Sequence, residues 1–254
     1  MPLSNNNGRS NQQTNSQQTV KGKIVYSNRL PHETNPEGWL KVKLEPSGFA
    51  FLHENTKLIV LSEKNDRVYY RVESDKVELM GKIVSMAKNN AIICTHKTGP
   101  TQKSVVLKVK YDGAPVNTYS KFKGWLVQQF ANLNVNSTVI KVTLNSIWSG
   151  KYSPIVPGRH KIMAPDHSHN TNAATIGYRM AFPAGTIVCN DIWFPIELEG
   201  GSGNSSRYIH LGNLSEGCVT IYEVEKWNVV YNYLINHRTP GTKGLYIGDL
   251  IVEK

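Results

Sequence analysis

Across residues 20–112, apolar and polar positions alternate in short runs that turn residues interrupt. Side chains that change face at every residue belong to a half-buried strand. Val68-Tyr69-Tyr70-Arg71-Val72 and Val105-Val106-Leu107-Lys108-Val109 carry the pattern most clearly. It predicts strands over 22–26, 40–44, 58–61, 68–72, 77–84, 91–95 and 105–111. Turns are predicted at Asn35-Pro36-Glu37-Gly38, Lys64-Asn65-Asp66 and Lys88-Asn89-Asn90. Short strands at this spacing build a small β barrel or sandwich.

The pattern changes after residue 112. A helix is predicted around 122–133, followed by strands over 138–144, 158–163, 185–189, 193–198 and 208–211, with a Gly/Ser loop over 199–206. The clearest helix starts near Tyr222, where Val224, Trp227, Tyr231, Leu234 and Ile235 fall on one face. Glu223 and Glu225 in its first turn, and His237 and Arg238 at its end, suit the helix dipole. Thr239-Pro240-Gly241 stops it, and a last strand covers 245–252. The expected fold is mainly β: a disordered tail over 1–19, a β-rich accessory domain over 20–112, and a β-rich domain with one or two helices over 113–254.

Composition narrows the function classes. The tail is Asn, Gln, Ser and Thr with one Arg, too polar to offset the entropy of ordering. It lacks the apolar core of a signal peptide, and no window approaches a transmembrane helix. Synthesis in the cytoplasm without a classical signal peptide is expected, with any target outside reached by another route. The 29 basic and 19 acidic residues give a formal charge of +10. Such a surface attracts polyanions, but no basic run reaches five residues, so scattered solubilising lysines are the favoured reading. Three widely spaced cysteines form no disulfide framework. Cys94 and Cys189 each follow an apolar run and read as buried core residues.

Cys218 is different. It follows Gly217, with Ser215 and His210 close upstream. At the head of the helix expected from Tyr222, a thiol would meet unpaired N–H groups and the positive dipole end, which favour thiolate and hold an oxyanion. Across a turn, His210 would take the thiol proton and return it to a leaving amine. The bland alternative, a buried structural cysteine and a backbone-bonded histidine, stands beside this reading.

Ile209-His210-Leu211-Gly212 followed by Ser215-Glu216-Gly217-Cys218-Val219 resembles the active-site signature of the L,D-transpeptidase catalytic domain. Tyr152-Ser153-Pro154-Ile155-Val156-Pro157-Gly158 looks like the start of that family's Thr-Pro-x-Gly strand, with Val156 in the threonine place. The resemblance covers about 138–254, as a divergent member. It implies a β-rich fold and a cysteine nucleophile that rejoins or hydrolyses peptidoglycan stem peptides through a thioester. By resemblance Cys218 is the nucleophile, His210 the base, and Ser215 and Gly217 shape the turn and oxyanion site. Arg207, Tyr208, Gly212, Asn213 and His169 are the expected substrate contacts. The chain departs from the family pattern at Glu216 and Thr220, where His and Arg are usual; Arg207 is the candidate replacement cation. The setting implied is an antibacterial effector acting in the periplasm or cell wall, with an immunity or delivery protein as partner.

No metal and no cofactor are expected. Asp166-His167-Ser168-His169 has two histidines but no evident third ligand, and reads as a loop at the cleft mouth where His169 or Asn170 touches substrate. Trp227 and Trp193 read as core, and Trp148 as the one tryptophan available to sugar or peptide. The alternative function is a non-catalytic basic β-rich protein that binds a polyanion. For nucleic acid it lacks a stacking platform, because Tyr69 and Tyr70 are adjacent and point to opposite faces.

Overall fold

The computed structural model describes residues 21–73, 78–120, 123–148, 152–169 and 174–254. The disorder predicted for 1–19, and Val77, Phe122, Ser149, Gly150 and Asn170, lie outside the described residues. The chain is mainly β, and the strands of the described residues fall into two large sheets and one two-stranded sheet.

The first sheet contains β1 (Ile24–Ser27), β2 (Leu40–Leu44), β3 (Phe49–Leu52), β4 (Lys57–Lys64), β5 (Arg67–Val72), β6 (Ile83–Ala87) and β7 (Thr95–His96). They run in the order β3-β2-β6-β5-β4-β1-β7, all pairs antiparallel, and form a half barrel. Leu52, Leu58, Val72 and Val84 lie in its core. Tyr70 is buried and Tyr69 is not, as alternation requires. Two expectations fail here. Of residues 91–95, predicted as a strand, only Thr95 is extended; 91–94 complete helix α1 (Lys88–Cys94), which buries Ala91 and Cys94 three residues apart and leaves Ile92 and Ile93 in solvent. A short apolar run fits either period, and here the three-residue spacing prevails. Of 77–84 only the end enters β6, and β3 was not anticipated.

The rest of the chain supplies β8 (Thr101–Gln102), β9 (Val105–Tyr111), β10 (Val116–Ser120), β11 (Gly124–Val135), β12 (Thr138–Asn145), β13 (Gly158–Met163), α2 (Ala174–Met180), β14 (Phe194–Glu197), β15 (Arg207–Leu211), β16 (Val219–Ile221), α3 (Trp227–Ile235), β17 (His237–Arg238) and β18 (Tyr246–Glu253). Eight of these strands close into a barrel in the order β11-β12-β16-β15-β14-β13-β18-β9, because β9 pairs again with β11. Closure leaves those eight strands no free edge. β9 was expected to end the first domain; it is a barrel strand, so the sheets change between His96 and Val105.

The described part of the helix predicted over 122–133 is strand instead, lying almost wholly in β11. Ala131, Leu133 and Val135 are buried while Asn134 is exposed, the two-residue period of a strand paired on both sides. Residues 185–189 form no strand; Cys189 takes a φ of 49°, which interrupts extended backbone. The C-terminal helix is a 3-10 turn over Val224–Lys226 followed by α3, and the predicted stripe is buried: Phe194, inside the barrel, meets Trp227 and Tyr231 at ring separations of 6.3 Å.

The two sheets are joined through the segment that leads into β14. Trp39 enters the barrel's apolar core, and its Nε1 donates to Asp191 O at 3.1 Å. Asp191 N donates to Glu37 O at 3.2 Å. Tyr231 donates to Glu54 Oε2 at 2.8 Å, and Asn55 Nδ2 to Ile235 O at 3.2 Å.

Candidate functional site

β15 and β16 are parallel neighbours with Ile209 opposite Val219, His210 opposite Thr220 and Leu211 opposite Ile221. Ile209, Leu211, Val219 and Ile221 point into the core. Alternation therefore sends Tyr208, His210, Cys218 and Thr220 to the barrel's outer face. On the other side, β14 pairs Phe194 with Ile209, so Trp193 stands beside His210. The two rings stack at 4.2 Å and 16°.

Parallel strands ordinarily need a long crossover. Here residues 212–218 suffice, and two glycines make the reversal. At Gly212 (φ 150°) a Cβ would sit 3.2 Å from Thr220 Cγ2. At Gly217 (φ 95°) it would come within 2.5 Å of Ser153 O and 2.7 Å of Arg207 Nε. Arg207 thus lies against the turn that presents Cys218. Ser215 holds the turn: its hydroxyl donates to Cys218 O at 2.9 Å and accepts from Gly217 N at 3.2 Å. Ser215 N donates to Ser146 Oγ at 3.0 Å, and Ser146 donates on to the buried Gln128 at 2.9 Å. The Gly217 amide is therefore engaged with Ser215 rather than presented to an oxyanion.

The expectation of a thiolate at a helix head is overturned. Cys218 leads into a strand, and the first helical turn begins only at Val224. Burial pushes its thiol up to about 11; a backbone hydrogen bond from Tyr208 and the Arg207 charge pull the other way, and Glu216 adds to the rise. The thiolate fraction at pH 7 is on the order of one in ten thousand. His210 is buried too, and burial drives its pKa down to about 4, against the hydrogen bond to Leu211 and with the charge of His169. Its Nδ1–H donates to Leu211 O at 2.9 Å, so Nε2 carries the lone pair and accepts the Thr220 hydroxyl at 3.1 Å. The resting pair is a neutral thiol and a neutral imidazole on one face, two residues apart along the strands and not hydrogen-bonded to each other.

The remaining expected residues divide. Arg207 has no carboxylate within salt-bridge distance among the described residues; its one hydrogen bond goes to Ser206 O at 3.4 Å. Tyr208 hydroxyl accepts from Asn204 Nδ2 at 2.8 Å. Asn213 faces inward, its N–H on Tyr178 hydroxyl at 3.0 Å and its side chain on Tyr222 O at 3.2 Å, so it fixes the loop. His169 also stacks on Trp193, at 4.1 Å and 10°, and Tyr208 meets it edge-on at 4.7 Å. Trp193, expected in the core, is the ring that both histidines stack on. The place of Trp193 opposite His210 follows from strand register, which no local pattern encodes. Trp227 is core, with Nε1 donating to Val188 O at 2.9 Å, while Trp148 is exposed and donates to Val127 O at 2.7 Å.

No protein-family model matches the chain, and no curated protein or solved structure matches it either.

Two pH effects follow. Alkylation of Cys218 by iodoacetamide, read by peptide mapping, is expected to be slow at neutral pH and to rise about tenfold per pH unit toward about 11; a plateau near neutrality would mean a preformed thiolate. Folding stability should also respond to His210. Its pKa is lower in the folded state, so its contribution is present above 6.5 and is lost as pH falls toward about 4. Denaturant titrations across that window should lose on the order of 3 kcal/mol in the wild type, and that component should be missing in His210→Gln. Equal slopes for the two proteins would contradict the assignment.

Proposed function

We propose that the chain is a cysteine-dependent acyl transferase of the L,D-transpeptidase type that acts on peptidoglycan stem peptides. The observation that carries this reading is the unpaired guanidinium of Arg207 beside the turn of Cys218, with His210 on the same face. A thiol, a base and a free cation together suit a substrate with a carboxylate near the carbonyl to be attacked.

In this reading Cys218 Sγ attacks the carbonyl carbon of a diaminopimelate-type residue as its proton passes to His210 Nε2. Contacts between base and nucleophile are often loose in an empty site and tighten with substrate. The C–N bond to the terminal D-alanine breaks, and His210 returns the proton to the leaving amine. An acceptor amine or water then attacks the thioester, gives its proton to Nε2, and releases the thiol. Because thiol and imidazole rest neutral, proton transfer accompanies attack instead of preceding it. Arg207 holds the donor carboxylate, the task that falls to the residue at the Thr220 position in the family pattern. The half-barrel unit serves as a wall-binding or delivery module.

Incubation of the purified protein with tetrapeptide muropeptides should release D-alanine or yield cross-linked dimers, and Cys218→Ala should do neither. Arg207→Ala should raise KM about tenfold or more, the loss of one charge-assisted contact, with a smaller effect on kcat. Identical product profiles for wild type and Cys218→Ala would eliminate the enzyme reading and leave polyanion binding.

A further inference from the structure

Asp166, His167 and His169 lie on the loop that follows β13. One donor atom from each, a carboxylate oxygen and two imidazole nitrogens, falls within 4.8 Å of the others. His167 Nδ1 is 3.1 Å from Asp166 Oδ2, and His169 Nε2 is 3.5 Å from Asp166 Oδ1. Two ligands on a tetrahedral ion with bonds of about 2.05 Å stand roughly 3.3 Å apart, so these separations already have the right scale.

A second observation points to a ligand. The His169 side chain is only 8% exposed, and its Nε2 makes no hydrogen bond. A buried polar nitrogen without a partner costs free energy, and this one faces the Asp166 carboxylate at a distance too long for a good hydrogen bond. The rest of the loop is fixed. Asp191 accepts the His169 N–H at 3.0 Å and also the Ser168 hydroxyl. Trp193 and Tyr208 hold the His169 ring by stacking and edge contact. Asn204 Nδ2 donates to Asp166 Oδ2 at 2.8 Å and orients the carboxylate, the kind of outer contact that metal-binding carboxylates carry. His167 is 56% exposed, which leaves the solvent side of the group open.

The geometry points to a metal site: Asp166, His167 and His169 bind a divalent first-row transition-metal ion of the zinc class, with water in the open position. Two imidazoles and one carboxylate select such an ion over magnesium or calcium, which take mainly oxygen ligands. Asp166 is the third ligand that the two histidines lacked in the sequence. The thiol is not among the ligands, and the proposal does not depend on the acyl-transfer reading.

The test is calorimetric titration of chelator-stripped full-length protein with zinc, and with cobalt for its absorption spectrum. The expected result is one equivalent bound, a cobalt spectrum of low coordination number, and no thiolate-to-cobalt charge-transfer band. Asp166→Asn, His167→Ala and His169→Ala should abolish stoichiometric binding. Asn204→Ala should weaken it about tenfold, and Cys218→Ala should leave it unchanged. Absence of stoichiometric binding by the wild type would overturn the proposal. So would full affinity in Asp166→Asn or His167→Ala, or loss of binding in Cys218→Ala. Should His169→Ala fail to fold, the exposed His167 decides alone.

Discussion

β15 and β16 run parallel although residues 212–218 are all that joins them. Their inward residues, Ile209, Leu211, Val219 and Ile221, belong to the apolar core of a closed barrel. A one-residue slip of either strand would turn its apolar pair out of the core and point its polar residues, His210 or Thr220 among them, into the apolar interior, so the core fixes the register. With the register fixed, His210 must face Thr220, and Cys218 must emerge on the same outer side. Gly217 and Ser215 complete the constraint, because only a glycine turn braced by that hydroxyl leaves room for Arg207 and Ser153 O.

The electrostatics follow from this placement. Outward-facing groups on a barrel are usually wet, yet His210 and Cys218 are buried, and Trp193 stacks over His210. Burial penalises charge, which lowers the imidazole to about 4 and raises the thiol to about 11. The resting site is therefore uncharged at its centre and cationic at its edge, where Arg207 has no acidic partner among the described residues. For the proposed acyl transfer, such an arrangement suits a substrate that brings an anion to the edge and develops charge at the centre only as reaction begins. The loop bearing His169 is tied through Asp191 to Trp39, so the half barrel helps to position the wall of the site.

The proximity of His210, Ser215, Gly217 and Cys218 was readable in the sequence because they fall within one stretch, joined by a turn that local glycines announce. The mainly β class and the apolar stripe of α3 were readable for the same reason, as periodicities within one element. What failed depended on distant partners. Residues 124–135 form a strand because β9 and β12 pair with it, against a pattern that read as helical. Cys218 heads a strand, so the dipole argument for a thiolate fell with the helix it assumed. Trp193 read as core since nothing near it reveals that His210 will stand opposite.

The proposed reaction requires Cys218 to carry a covalent acyl group. Intact-mass measurement after incubation with a tetrapeptide donor, or with a carbapenem as a slowly released acyl donor, tests it directly. The account predicts one adduct per wild-type chain, mapped to Cys218, absent in Cys218→Ala and much slower to form in His210→Ala. No adduct on the folded wild type, or an adduct that persists in Cys218→Ala, would contradict it.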